Sequence, residues 1–516
     1  MVKWLGNLYD VLHPIQDLFS TPVQDSWKAI PVDGSVTRLE LVGPQKIFVA
    51  IRGKTYDGHQ DLARVLNQKP AAVVVEKNVW REHFDRLRRD SLVPILVTDH
   101  SRRAYAFLSA SFWGQPSLNL FTIGVTGTNG KTSVTTMGEY LLQKAGVKVG
   151  KIGTLGLYLN EEWWETQLTT PDAYDLHYFL SYCYQKGAKA AVMEVSSHAL
   201  DQFRVDGVHF DGVIFTHLTQ DHLDYHGSME RYFQAKARLF SEVLFWSRKN
   251  VKIAVINIDD PWGQRLQVDS QATVVTYGQS PMADFRYEVN GVDWSGIYFR
   301  VCVGGQNFGG FLPMLGEFQV ANFVGIAALL VGAGFMTLPG AISLIADFPG
   351  VPGRLQKVRE LAERHVFIDF AHTPDALEKT LVTLRSLLNR LAQGTGRLGI
   401  IFGCGGERDE GKRPIMGAIA ERLCDWIIVT NDNPRGEDPE KIVHHILSGM
   451  KEGHKTHVEL DRKKAIFEGL ERLGPNDVLL IAGKGHERYQ QIGQEKIPFS
   501  DYDVVVSWKR ESVPKI

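Results

Sequence analysis

Strand-length runs of apolar residues, each closed by a polar or glycine-rich turn and followed by an amphipathic stretch, recur along most of this chain. Runs at 46–51 and 71–76 come first, then 120–125, 190–195, 211–216 and 253–256, and finally 366–370, 398–402, 426–429 and 478–482. Their alternation with helical patterns predicts α/β domains whose mostly parallel sheets lie under covering helices. Two punctuation marks, Trp113-Gly-Gln-Pro-Ser117 and Phe348-Pro-Gly-Val-Pro-Gly353, divide the chain into three expected domains at 1–118, 119–349 and 350–516, the last Rossmann-like. The longest apolar stretch, 323–336, is too short to span a bilayer and predicts a core helix.

One helical stretch carries a residue that does not belong to its face. From Met229 onward, 100° per residue gathers Tyr232, Phe233, Leu239, Phe240 and Val243 into one arc, with Lys236 in its middle. An unpaired ammonium in apolar surroundings is costly. Lys236 therefore has a partner or a task, or else only its stem is covered and its head reaches water.

The run at 120–125 leads into Thr126-Gly-Thr-Asn-Gly-Lys-Thr-Ser133. A buried strand entering a glycine turn and then a helix aims backbone N–H groups at an anion, while Lys131 reaches the outer phosphates and Thr132 offers a hydroxyl to Mg²⁺. Gly127, Thr128, Asn129, Gly130, Lys131, Thr132 and Ser133 are thus the expected cradle of a nucleoside triphosphate in a central P-loop domain. The loop departs from the strict P-loop pattern, since Val125 stands five positions before Gly130.

Further candidates stand at strand ends, where ligand sites of open α/β sheets collect. Glu194 closes the run 190–195 and suits a hard cation. After 211–216 comes a polar cluster in which His222 or His226 can reach a metal. In the third segment, Arg354 and Asp369 suit a nucleotide's phosphate and ribose. Arg408 in the glycine-rich turn 402–409, Arg435 in Asp432-Asn-Pro-Arg435, and Gly483-Lys-Gly-His-Glu487 together suggest a charged ligand.

With 516 residues and a formal net charge of −2 from intermixed signs, no basic face points to a nucleic-acid partner. Four scattered cysteines fit a reducing compartment, and the opening MVKWLGNLYD lacks the apolar core of a signal peptide. A cytoplasmic protein without a membrane partner is expected, and a monomer.

Taken in order, TGTNGKT (126–132), TTPD (169–172), MEVSSHAL (193–200), DHLDYHG (221–227), DFAHTPDAL (369–377), GCGGERD (403–409), DNPR (432–435) and GKGHE (483–487) resemble the Mur ligases of bacterial peptidoglycan synthesis, over nearly all of 119–516 and more weakly before. The resemblance implies an ATP-dependent amide ligase with an N-terminal domain for the UDP end of its substrate, a central ATPase and a C-terminal domain for the incoming amino acid. It implies ATP contacts by Gly127 to Ser133, Asn257, Arg354 and Asp369. Lys131, Lys236 and His222 would be catalytic, and Mg²⁺ would be held by Thr132, Glu194, His222 and a carbamate formed from CO₂ on Lys236. UDP-MurNAc-L-Ala-D-Glu would meet Thr169, Thr170, Ser196, Gln202 and Arg204, with Leu39 and Lys54 toward the uridine. Meso-diaminopimelate would meet Arg408, Asp432, Asn433, Pro434, Arg435, Gly483 and Glu487.

The chain departs from the family pattern at Arg38-Leu39-Glu40, where Asp-Ser-Arg is usual, and at Leu168, His217 and Gln319, where Asn is common. Two other readings stay open here: a lysine-adding ligase of the same family, and a non-catalytic scaffold.

Overall fold

The computed structural model of the chain describes residues 6–53, 56–79, 92–361, 364–391 and 395–512. They divide into two compact units, Met1–Tyr287 with Val301–Asn307 and Ala321–Ala341, and Glu288–Arg300 with Phe308–Val320 and Ile342–Ile516.

Besides a two-stranded pairing of Gly6–Asn7 with Pro31–Val32, the first unit holds two larger sheets. The smaller of these two places β1 (Gly34–Val36), β2 (Lys46–Val49), β3 (Ala72–Glu76) and β4 (Ile95–Thr98) side by side, every neighbour parallel. Successive strand residues face opposite ways, so Ile47, Val49, Val74 and Leu96 pack with Leu108 and Phe112 of helix α1 (Ser101–Phe112), while Phe48, Val73 and Val75 pack with Leu62 and Val65. Burial of both faces explains why 46–51 and 71–76 read as unbroken apolar runs.

The larger sheet is built on β5 (Phe121–Thr126), which runs into helix α2 (Lys131–Lys144). The strands β6 (Val149–Gly153), β7 (Gly156–Leu159), β8 (Glu162–Trp164), β9 (Ala190–Glu194), β10 (Gly212–Phe215), β11 (Ile253–Asn257) and β12 (Thr273–Gly278) join it in the order β8-β7-β6-β9-β5-β10-β11-β12. All neighbours from β6 to β12 are parallel, while β7 and β8 form an antiparallel edge. The chain passes from β5 to β9 on one side and to β10 on the other, which makes the carboxyl end of β5 a switch point where a crevice opens. Register brings Glu194 beside Val125 and Phe215 beside Thr126. Helices α3 (Ala173–Gln185) and α4 (Met229–Arg238) complete the parts of this unit that matter for the site.

The apolar stretch 323–336 is helical, but the helix α5 spans Phe318–Gly332: it begins earlier and stops where Gly334 takes a left-handed φ of 76°. Among the strands not anticipated are Val149–Gly153, Thr273–Gly278, Phe285–Asp293, Gly296–Val303 and Gln306–Leu312. In Gly296–Val303, buried Ile297, Phe299 and Val301 alternate with exposed Tyr298 and Arg300, a period-two signal that a search for unbroken runs passes over.

In the second unit, β13 (Gln356–Lys357), β14 (His365–Asp369), β15 (Leu398–Phe402), β16 (Trp426–Val429), β17 (Thr456–Val458) and β18 (Val478–Ala482) form one sheet in the order β13-β14-β18-β15-β16-β17, parallel except for β13. Helices α6 (Pro374–Leu391), α7 (Lys412–Leu423), α8 (Pro439–Leu447), α9 (Arg462–Glu471) and α10 (Asp501–Ser512) follow the strands, and a separate hairpin pairs β19 (Tyr489–Ile492) with β20 (Glu495–Pro498). Leu377, Leu381, Leu384 and Leu388 of α6 are buried at three- and four-residue spacing, the stripe that an amphipathic helix lays on a sheet.

Gly399 sits opposite Trp426 in register, and the indole covers it so closely that an added Cβ would stand 2.0 Å from the ring. Gly399→Ala is expected to destabilise this unit by roughly 1–3 kcal/mol through overpacking, read as a lower denaturant midpoint with an unchanged slope.

Candidate active site

The turn between β5 and α2 is shaped by two glycines. Gly127 (φ 148°) and Gly130 (φ 88°) hold backbone angles that favour glycine, and a Cβ would stand 1.9 Å from the Thr216 hydroxyl on the first and 2.5 Å from the Asn322 amide oxygen on the second. The turn is tied to the segment after β10. Thr128 N–H donates to His217 O at 2.8 Å, the Thr216 hydroxyl donates to Asn129 O at 2.7 Å, and Asn129 Nδ2 lies 3.4 Å from His217 Nε2. Asn257, at the end of β11, donates to Thr216 O at 2.8 Å. Thr132 and Ser133 occupy the first turn of α2, where unpaired N–H groups and the helix dipole favour an anion.

Two lysines meet on one carbonyl of this turn. Lys131 Nζ donates to Gly127 O and Thr128 O, each at 2.8 Å, and Lys236 Nζ donates to the same Gly127 O at 2.8 Å. Lys236 projects from α4, is 1% exposed, and lies 4.6 Å from the centre of the Tyr232 ring one helical turn back. Burial first, and the Lys131 charge second, hold the Lys236 amine well below the ordinary lysine range, against the pull of Asp221. The buried-face reading therefore holds, and its partners are a carbonyl and a ring.

Glu194 is buried under the same crevice. Its carboxylate accepts from Thr154 N–H at 2.9 Å and from the Thr154 hydroxyl at 3.2 Å, and any side chain at Gly153 would collide with it. His222 starts a short helix with a left-handed φ of 52°, its half-exposed ring 3.4 Å from an Asp221 oxygen, while His226 is buried against the Ser197 hydroxyl at 3.0 Å. Among the described residues no three His, Cys, Asp or Glu side chains converge as a metal cluster. The carboxylate of Glu194 and the hydroxyl of Thr132 are hard oxygen donors that fit Mg²⁺. The Lys236 amine fits it only after conversion to an oxyanion.

The residues expected to meet the peptide substrate form one hydrogen-bonded network. The Thr170 hydroxyl donates to Glu194 O at 2.9 Å and accepts from Ser196 N–H at 3.1 Å, and the Thr169 hydroxyl lies 3.1 Å from that of Thr154. Arg204 donates to Thr170 O at 3.0 Å and grips the Gln202 amide oxygen through two N–H groups, at 2.6 and 3.1 Å. Gln202 and Arg204 line a cavity of about 260 Å³ that also receives Arg38, Tyr56, Arg102 and Asp172. From the sequence Arg38 stood out only as part of a departure from the family pattern, and Arg102 not at all. Leu39 packs against the apolar layer of Phe48, and Lys54 lies outside the described residues.

In the second unit, the loops after β14, β15, β16 and β18 carry the remaining candidates. Asp369 accepts from Leu355 N–H at 2.6 Å and Ala371 N–H at 2.9 Å, with Arg354 beside it and burial holding its carboxyl above the usual range. Asn433 is the hub of the next group: its amide oxygen accepts from Lys484 Nζ at 3.0 Å and Gln491 N–H at 2.8 Å, and its amide nitrogen donates to Glu487 at 2.8 Å. Lys484, fully buried, also pairs with Glu487 at 2.9 Å. Asp432 is buried beside Gly483, where a Cβ would stand 2.4 Å from its carboxylate; burial pushes its carboxyl up against the pull of Lys484 and Arg462. Pro434 O lies 1.9 Å from where a Cβ on Gly406 would stand, so the two loops touch through a glycine. Arg435 takes a left-handed φ of 53°, donates to Gly406 O at 2.6 Å and is bridged to β19 through Gln491. Arg408 stands exposed on the neighbouring loop. The sequence reading missed the β19–β20 hairpin, and it took Lys484 only as part of the Gly483–Glu487 turn, without its bond to Asn433.

The loops of 405–407 and 432–437 are also joined by Arg413, whose fully buried guanidinium takes both oxygens of Glu437 at 2.7 and 2.8 Å and donates to Gly405 O at 3.2 Å. The guanidinium first of all holds the Glu437 carboxyl down at about 2. A carboxyl depressed on folding stabilises fully above its unfolded value near 4.5 and loses that contribution as pH falls toward 2. Acid unfolding followed between pH 5 and 2 is therefore expected to show a shallower stability loss in Glu437→Gln than in the parent.

Comparison with known proteins gives the chain its relatives. Residues 125–331 match the family model described as Mur ligase middle domain, and residues 353–485 match that described as Mur ligase, glutamate ligase domain. The chain is 40% identical to UDP-N-acetylmuramoyl-L-alanyl-D-glutamate–2,6-diaminopimelate ligase of Aquifex aeolicus over 89% of this chain and 90% of that protein. It is 38% identical to the protein of the same name from Geobacillus kaustophilus, over 89% and 91%. A solved structure titled as that ligase superposes with a TM-score of 0.68 at 30% identity, covering 96% of this chain and 98% of its own. With identity of this order over 89% of its length, the chain belongs to the Mur ligase family, in the same branch as these relatives.

Proposed function

We propose that the protein is an ATP-dependent ligase that joins meso-diaminopimelate to the D-glutamyl residue of UDP-MurNAc-L-Ala-D-Glu, a step of peptidoglycan precursor synthesis carried out in the cytoplasm. The observation that carries this reading is the convergence of Lys131 and Lys236 on Gly127 O beneath the phosphate turn. It fits a site that gathers phosphate charge at one end of a buried amine. No helix among the described residues is long and apolar enough to cross a membrane. The division of labour follows the three segments: 1–118 for the UDP end, 119–349 for ATP and 350–516 for the amino acid.

In this reading the γ-carboxylate of D-glutamate attacks the γ-phosphorus of ATP, the bond to ADP breaks, and an acyl phosphate forms. The amine of the incoming amino acid then attacks the acyl carbon, phosphate departs with the electron pair, and the amine loses a proton. Lys131 neutralises charge on the transferring group, and the N–H groups of Gly127 to Ser133 orient the phosphates. Thr132, Glu194, His222 and carbamylated Lys236 would hold Mg²⁺, which supplies further charge neutralisation when bound. A neutral amine is the form that captures CO₂, and burial shifts Lys236 toward that form. Arg204 and Gln202, with Thr169, Thr170 and Ser196, hold the peptide carboxylates and amides.

Selection of diaminopimelate over lysine is assigned to Arg435 and Arg408. Diaminopimelate carries a second carboxylate that lysine lacks, and a guanidinium grips a carboxylate with two parallel N–H groups. Arg435 has one of its N–H donors fixed on Gly406 O, which aims the rest of the fork. The test is phosphate release by the protein with ATP, Mg²⁺ and UDP-MurNAc-L-Ala-D-Glu, comparing meso-diaminopimelate with L-lysine and weighing the nucleotide product. Release that depends on diaminopimelate, with the matching tripeptide mass, supports the reading. Dependence on lysine overturns the role of Arg435, and silence with both overturns the ligase.

A further inference from the structure

The most completely buried ion pair of the second unit lies outside every residue assigned a role so far. Arg462 opens α9 and Asp501 opens α10, and neither side chain has any exposed surface. The guanidinium takes both Asp501 oxygens, Nε at 2.7 Å and Nη2 at 2.8 Å. Its remaining donors go to two backbone carbonyls: Nη1 to Asn431 O at 3.2 Å and Nη2 to Ala482 O at 3.0 Å.

Those carbonyls are informative by position. Asn431 immediately precedes Asp432-Asn433-Pro434-Arg435, and Ala482 immediately precedes Gly483-Lys484. The strands behind them, β16 and β18, do not pair, because β15 runs between them. Two strand spacings separate their axes, about 9–10 Å, and the guanidinium ties the loops that leave them. A buried ion pair is a poor way to gain stability, since apolar residues of similar volume commonly do as well. Only a planar fork of fixed donors can take a carboxylate on one edge and two carbonyls of separate strands on the others.

We propose that Arg462, oriented by Asp501, is a positioning residue of the amino-acid pocket: it sets the spacing between the Asp432–Arg435 loop and the Gly483–Glu487 loop, and so the affinity for diaminopimelate. The proposal rests on the ligase reading above. It also makes α10 part of the pocket's framework through Asp501.

The experiment compares the full-length parent with Arg462→Lys, Asp501→Asn and Arg397→Met. Arg397 pairs with Asp477 at 2.7 Å where β15 and β18 begin, so its loss breaks an ion pair of the same sheet at the end away from the pocket. KM for diaminopimelate, for ATP and for the UDP-dipeptide is measured with kcat and the melting temperature. Arg462→Lys keeps the charge and loses the fork, and is expected to raise KM for diaminopimelate by about ten-fold while KM for ATP moves by less than about two-fold. Asp501→Asn, the milder change, is expected to move the same constant in the same direction by less, and Arg397→Met to lower the melting temperature without moving it. The proposal is overturned if Arg462→Lys and Asp501→Asn fold and leave KM for diaminopimelate unchanged, or if Arg397→Met raises it as much. A parent that turns over without diaminopimelate dependence overturns the ligase reading and this proposal together; a dependent parent with indifferent variants overturns only this proposal.

Discussion

Lys131→Ala is expected to lower ligation by about a thousand-fold while leaving the protein folded, because the task proposed for the side chain is confined to the transferring phosphoryl group. The Lys131 ammonium rests on Gly127 O and Thr128 O, two carbonyls of its own turn. These contacts are satisfied locally, so the long stem is already curled over the cradle and moves only a short way to meet a phosphate. Removing it leaves the N–H groups of the turn and the dipole of α2, so nucleotide binding should weaken less than turnover does. Single-turnover formation of ADP separates the two effects. Retention of more than about a tenth of the parent's activity would remove Lys131 from its assigned role. The substitution also deletes a positive neighbour of Lys236, whose charge helps hold that amine below the ordinary lysine range. The two lysines should therefore fail to add in a double-mutant cycle.

Lys236→Met is expected to produce the opposite pairing of effects, a loss of activity of at least about a hundred-fold together with a melting temperature raised by about 2 °C. Methionine fills much the same volume among Tyr232, Phe233 and Phe240 without asking for a hydrogen bond, and Gly127 O keeps its bond from Lys131. A residue that costs stability where it sits and is retained there is serving chemistry. Parent activity should rise with added bicarbonate and that of Lys236→Met should not. A variant that is both active and stabilised would mean that the buried amine is a structural accident.

How far the sequence disclosed this arrangement depends on which physical signal each part left. Two-sided burial writes itself as unbroken apolar runs, so β5, β9, β10, β15 and β18 were legible within a residue or two. One-sided strands such as Gly296–Val303 alternate instead, and their weaker pattern was passed over. Lys236 was legible because helical periodicity exposes a charge on the wrong face. Its partners were not, since a backbone carbonyl 109 residues away leaves no trace in composition. Asn433, Arg435 and Glu487 stood out as strand-end polar residues, and Lys484 lay within the same glycine turn as Glu487, whereas Gln491, which also holds Asn433, sits in a segment with no pattern of its own. Arg462 was invisible for a related reason: at the start of a helix, a buried arginine looks like any solvated one until Asp501 is found opposite it.

The backbone of Arg435 bears on what a directed-evolution campaign would do to this protein. A non-glycine residue at a φ of 53° carries a conformational cost of order 1 kcal/mol that glycine would not. A library screened for heat resistance alone should therefore enrich glycine at 435 and be rewarded for it. The enriched clones would lose the fork to which the choice of a dicarboxylate substrate over a monocarboxylate one is assigned in the proposed function. Thermal hardening and substrate fidelity thus pull this position in opposite directions, and a screen that does not supply both amino acids in competition will not notice the trade.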